Sequence, residues 1–106
     1  MILVTALYPN APGSSFDAAY YVGPHTDFAR GLLEPEGLVS IRTTIGIAAL
    51  DGAPPPFWSI SEMVFTSRDA FAAAITAKGD ALFADVPNYT DVTPILQVSV
   101  LHEDAR

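Results

Sequence analysis

The chain has 106 residues, with five Lys and Arg against twelve Asp and Glu for a formal charge of −7, half of its residues apolar, and no cysteine. That length closes one hydrophobic core and leaves no room for a cofactor domain beside a substrate domain, while five scattered cations are too few to serve nucleic acid or an anionic membrane as a partner. Lack of cysteine excludes disulfides, thiolate nucleophiles and sulfur metal ligands, and no apolar run approaches the roughly 18 residues of a membrane span.

Ile2 to Tyr8 alternates Ile2, Val4, Ala6 and Tyr8 with Leu3, Thr5 and Leu7, the pattern of a strand apolar on nearly both faces, and Pro9, Pro12 and Gly13 stop it. Ser14 or Ser15 then caps a helix whose inward stripe carries Phe16, Ala19, Tyr20 and Gly23. Gly23-Pro24 interrupts it, which puts His25 at a kink or at the start of a second short helix through Phe28, Arg30 and Leu32. Leu38 to Ile47 is β-branched and alternating, a strand, and the turn around Asp51-Gly52 with Pro54-Pro55-Pro56 leads into a second strand over Phe57 to Phe65. A helix begins near Ser67 with Phe71, Ala74, Ile75 and Lys78 in register. Gly79 is its expected stop, Asp80 caps a further turn, and Pro87 ends that turn. Pro94 to Leu101 is the last strand, with Leu96, Val98 and Val100 on one face.

The order βαββαβ is that of an α+β, ferredoxin-like fold: a four-stranded antiparallel sheet with both helices on one face, all 106 residues in a single domain. The other sheet face is left bare. Strands apolar on both sides, and a charged fraction of only 16%, predict that this face is buried against the sheet of a twofold partner, a homodimer. The beginning, Met1-Ile2-Leu3-Val4, lacks a basic region and a cleavage site, so it reads as structure, and a cytoplasmic location is expected.

Phe16, Tyr20-Tyr21 and His25, followed by Phe28-Ala29-Arg30, resemble the F-x(3)-Y-Y-x(3)-H-x-P-L-A signature of the EthD family, named for ethyl tert-butyl ether degradation. Pro54-Pro55-Pro56-Phe57, Ile60-Ser61-Glu62-Met63-Val64-Phe65 and Asp85-Val86-Pro87-Asn88-Tyr89 are similar to segments of the same family, so the resemblance covers essentially the whole chain. It implies a dimeric α+β barrel, two ferredoxin-like subunits packed sheet to sheet, each with a small apolar pocket between sheet and helices. It does not imply one reaction: EthD-like and neighbouring barrels include accessory proteins to monooxygenases, lactone isomerases, and polyketide cyclases or decarboxylases. This sequence departs from the signature in one respect, because His25 is followed by Thr26-Asp27-Phe28 and the proline stands before it, at Pro24.

His25 is the interior histidine, and a neutral imidazole suits acid/base work near neutral pH; the bland alternative is a structural histidine tying the kink to a strand. Asp27 does not orient it, since residues two apart do not face each other on a helix. Tyr20 and Tyr21 point in different directions, so at most one faces the core, where its phenol either positions a substrate carbonyl or is satisfied within the core. Glu62, expected on the strand face of Trp58, Ile60 and Val64, either pairs with Arg42 or titrates as a second acid/base group; pairing is favoured. Phe16, Phe28, Trp58, Phe71 and Phe83 either bind a flat hydrophobic ligand or are core. His25 and His102 make no metal-ligand spacing, and the sequence contains no nucleotide-phosphate or serine-hydrolase motif.

The expected function is the binding of a small hydrophobic, cyclic or aromatic compound in one pocket per subunit. The protein would then be a cofactor-free acid/base or oxidoreductase-associated enzyme of a degradation or secondary-metabolite pathway. The alternative is a non-catalytic dimeric ligand-binding or accessory protein to a monooxygenase system. In a third reading the acidic surface docks a basic redox partner protein.

Overall fold

Strand β1, Ile2–Pro9, buries Ile2, Val4, Ala6 and Tyr8 and leaves Leu3, Thr5 and Leu7 half-exposed, as its two-residue period requires. β2 is Leu38–Ile45, β3 is Phe57–Phe65 and β4 is Ile95–Val100. The computed structural model describes residues 1–102 and gives the sheet order β2-β3-β1-β4, every neighbouring pair antiparallel. With the helices packed on one face this is the α+β, ferredoxin-like arrangement.

The first helical region differs from its expectation at both ends. Helix α1, Ala18–Tyr20, is capped by Asp17, whose side chain accepts from the Tyr20 amide, not by Ser14 or Ser15. Phe16 lies ahead of the helix, bridged to Thr90 as extended chain. Nor does Gly23-Pro24 break the helix. A π-helical turn over Tyr21–His25 contains Pro24 and runs on into α2, Thr26–Leu33. A proline inside a regular α-helix loses one hydrogen bond and collides with the carbonyl four residues back; the wider turn relieves both, and the Thr26 hydroxyl donates to the Tyr21 carbonyl at 2.8 Å.

Helix α3, Arg68–Ala84, passes straight through Gly79, which therefore neither stops a helix nor leaves Asp80 as a cap. Gly79 is buried, and a Cβ there would stand 3.3 Å from Ile75 Cγ2, so the residue serves close packing within the helix. The start is as expected, with the Ser67 side chain accepting from the Ala70 amide. Pro87 sits inside a 3₁₀ turn, Val86–Asn88, that follows α3 directly.

Two clusters share the covered face of the sheet. An aliphatic one gathers Val4, Leu33, Phe65, Ala74 and Leu82, and an aromatic one gathers Tyr8, Tyr21 and Tyr89 with Phe16 and Trp58 packed against them. Trp58 reaches the second cluster because the β1–β3 register shifts at Tyr8/Pro9, which takes it off the alternation that puts Ile60, Glu62 and Val64 on the open face. β4 is an edge strand whose Leu96, Val98 and Val100 remain exposed, since the helices lie over the other strands.

Candidate active site

Four amino acids apart on the π turn, Tyr21 and His25 are buried and their rings stack at 5.2 Å with 13° between planes. What faces them arrives from the end of α3. The Asp17 amide donates to the Tyr89 carbonyl at 2.7 Å, and the Thr90 hydroxyl to the Ser15 carbonyl at 2.7 Å, so the Asp85–Thr90 segment is docked on the start of α1. That docking places Asp85 Oδ2 2.7 Å from His25 Nδ1. The other carboxylate oxygen accepts from the Tyr20 hydroxyl and from Asn88 Nδ2, both at 2.8 Å.

Burial pushes the Asp85 carboxyl up, but the hydrogen bonds from His25, Asn88 and Tyr20 outweigh it and hold the group below its ordinary value. Asp85 is thus an acceptor at neutral pH, and the His25 hydrogen is assigned to Nδ1. In the neutral imidazole the lone pair is then on Nε2. Nε2 has no protein partner, and among the described residues no buried side-chain nitrogen or oxygen lacks one, so Nε2 keeps contact with open space although His25 is only 8% exposed.

His25 also lines a cavity of about 50 Å³ between sheet and helices, together with Tyr8, Tyr21, Ser61 and Tyr89 on its polar side. Its apolar side is lined by residues including Val4, Ile41, Met63, Phe71 and Leu82, and Phe83 and Leu96 are half-exposed at its rim. The Tyr8 and Tyr89 hydroxyls are hydrogen-bonded at 2.6 Å, as are the Tyr21 hydroxyl and Ser61 Oγ. Burial raises the pKa of Tyr8, Tyr21 and Tyr89, so all three phenols stay protonated through the neutral range. Tyr20 is raised chiefly by the hydrogen bond it gives Asp85.

Of the residues the sequence pointed to, the fold brings His25, Tyr21, Phe71 and Phe83 to the cavity. Tyr20 stands behind the histidine, committed to Asp85, so it does not reach a substrate carbonyl. Glu62 is on the opposite sheet face, where Arg42 Nη2 donates to it at 2.6 Å and Nε at 3.0 Å; the favoured pairing holds, and a second titrating group beside His25 does not. Phe16 and Trp58 stack on each other at 6.3 Å, away from the cavity, with Trp58 Nε1 donating to Ser14 Oγ. Phe28 projects outward and is exposed. None of these three lines that cavity.

Asp85, Tyr8, Ser61 and Tyr89 were missed. Asp85 reads in the sequence as a solvated helix-surface charge, and only its place in the Asp85-Val86-Pro87-Asn88-Tyr89 segment hinted otherwise. Tyr8 and Ser61 were visible as polar groups on inward strand positions, a signal of something to hydrogen-bond. No metal-binding cluster is present among the described residues, and no helix among them is long and apolar enough to cross a membrane.

No family model matches the sequence, and no curated protein matches it. Solved structures do. An EthD-like protein of Ralstonia eutropha is 33% identical over 93% of this chain and 89% of its own, with a TM-score of 0.86. An ethyl tert-butyl ether degradation family protein of Bacillus halodurans is 18% identical, over 92% of this chain and 96% of its own, with a TM-score of 0.62. A dimeric ferredoxin-like protein from an uncultured marine organism shares 12% identity over the full length of both chains at a TM-score of 0.56, a likeness of fold.

Proposed function

We propose that this chain, which belongs to the EthD family, binds a small hydrophobic cyclic compound and moves a proton on it, with His25 Nε2 as the base. The observation that carries this reading is the 2.7 Å bond between Asp85 and His25 Nδ1, which leaves the Nε2 lone pair free on a residue that lines the cavity. The base would take a hydrogen from a carbon next to a carbonyl; the C–H electron pair becomes a carbon–carbon double bond as the carbonyl pair moves onto oxygen. The imidazolium so formed is stabilised by the ionised Asp85, and returning its proton to a different carbon yields an isomer. Phe71, Met63 and Leu82 keep water from the intermediate. Such chemistry requires an enclosed base and no cofactor.

The molecule would work as a cytoplasmic homodimer. Among the described residues no helix lies over the sheet face bearing Leu3, Leu7, Ile60 and Val64, and a second sheet would cover it. In a second reading the protein is a non-catalytic ligand-binding or accessory protein to a monooxygenase system. It draws support from the cavity's size, about 50 Å³, against the roughly 150 Å³ apolar cavity that holds benzene.

Incubation with cyclic ketones and unsaturated lactones in heavy water, with carbon-bound deuterium followed by NMR, tests the base. Catalysed exchange is expected for the wild type, a loss of about 10² to 10⁴-fold in His25→Gln, and roughly a hundredfold loss in Asp85→Asn. Exchange undiminished in His25→Gln overturns the reading. Ligand-induced shifts without exchange favour the accessory role.

A further inference from the structure

We infer that Tyr20 and Asn88 are positioning residues of the site: by gripping one oxygen of Asp85 they aim the other at His25 Nδ1, and so decide which imidazole nitrogen carries the hydrogen and which is free. This is how the base proposed above is kept in its working form, and it rests on His25 Nε2 being that base.

A carboxylate turns easily about its Cβ–Cγ bond, where the rotamer wells are broad. One bond to His25 would not stop it. The structure supplies three donors on two oxygens: His25 Nδ1 at 2.7 Å from Oδ2, and the Tyr20 hydroxyl and Asn88 Nδ2 each at 2.8 Å from Oδ1. Asn88 also hydrogen-bonds the Tyr20 hydroxyl, so the two donors brace one another. A neutral imidazole puts its hydrogen on the nitrogen that has an acceptor. While Asp85 faces Nδ1, that nitrogen is Nδ1. If Asp85 turns aside, the hydrogen is free to stand on Nε2, and the lone pair a base requires is gone.

The two donors hold different things together. Asn88 lies in the 3₁₀ turn that Asp85 opens, and its amide already donates to the Asp85 carbonyl at 3.0 Å, so it steadies the carboxylate within that turn. Tyr20 comes from 65 residues away, on the helical segment that carries His25 itself, so its bond ties the carboxylate to the imidazole's own element. Its ring lies on Tyr89 at 6.2 Å with 21° between planes, and its amide is held by Asp17. The next residue, Tyr21, stacks on the imidazole. Consecutive tyrosines therefore orient the two halves of the pair, Tyr21 the ring and Tyr20 the carboxylate. Neither Tyr20 nor Asn88 lines the cavity, so both act through Asp85 and not on a ligand.

The test reads the tautomer of neutral His25 directly, by long-range proton–nitrogen NMR of its ring in the intact protein without ligand. Wild type is expected to carry the hydrogen on Nδ1. Tyr20→Phe removes one oxygen and keeps the ring on Tyr89; it and Asn88→Ala should each move part of the population to the Nε2–H form, and the double variant most of it. The rate follows the competent fraction, so a variant with about nine-tenths of its histidine in the Nε2–H form should lose about tenfold in kcat for deuterium exchange of cyclohexanone, with KM unchanged. A merely structural role would lower stability and leave the tautomer alone. An unaltered tautomer in the folded double variant, or a wild type with the hydrogen on Nε2, overturns the assignment; where the double variant does not fold, Tyr20→Phe decides in its place. A shifted tautomer in a protein whose wild type catalyses no exchange leaves Tyr20 and Asn88 as positioning residues and removes the base.

Discussion

The covered face of the sheet has two ends built from the same strands. At one end Ile2, Val4, Met63 and Phe65 meet Leu33 and Ala74; at the other Ala6, Tyr8, Ser59 and Ser61 meet Tyr21, His25 and Tyr89. The alternation never changes, but the side chains do, from hydrocarbon that gains by leaving water to hydroxyls and an imidazole that must each be answered by a partner. The first end fills its space with shape. At the second, hydrogen bonds hold the aromatic rings, and a cavity remains between the two. Apolar packing and hydrogen-bonded polar groups are thus separated along the strand direction.

Cutting into the hydrocarbon end should have the largest effect on stability. Phe65 is fully buried and packs edge-on to Phe71 at 5.2 Å, so Phe65→Ala is expected to cost about 3–5 kcal/mol in chemical denaturation, enough to unfold a marginal domain. A loss under about 1 kcal/mol would mean that the aliphatic cluster is not the principal core.

The hydroxyl end should fail in alkali. Tyr8, Tyr21 and Tyr89 have folded values above the unfolded value, so their contribution is complete below about pH 10 and is lost above it as the unfolded chain ionises. Each of Tyr8 and Tyr21 is expected to remove about 1.4 kcal/mol per pH unit beyond that point. Phenolate absorbance should then rise together with unfolding. A simple titration near pH 10 in a protein that stays folded would contradict the buried assignment.

The smallest effect lies on the other side of the sheet. Arg42 is 80% exposed in its pair with Glu62, and Arg42→Ala should change the stability of the single chain by less than about 1 kcal/mol and leave deuterium exchange unchanged. A large loss at low protein concentration, recovered as concentration rises, would place the pair in an interface between two copies.

Strand and helix order were legible because they rest on local periodicity: β3 has its expected bounds, β1 and β4 are within a residue or two, and the Ser67 cap is where its residue type puts it. The same local reading favoured the Arg42–Glu62 pair from strand adjacency, but it put Tyr20 on the inward stripe, whereas Tyr21 is the buried tyrosine. It erred where a local rule was overridden by packing, in the π turn that absorbs Pro24 and the buried Gly79 that continues its helix. The histidine could be picked out by its chemistry, but its partner could not. Asp85 is 60 residues away, and its distance from Nδ1 is set by the docking of the 3₁₀ turn on the start of α1, a contact with no periodic signature. The bulge that moves Trp58 from the open face to the aromatic cluster is of the same kind. Periodicity determines which residues go inward because burial is a property of each residue and its neighbours. Which inward residues meet depends on how the separate elements pack, and that was settled only in the tertiary structure.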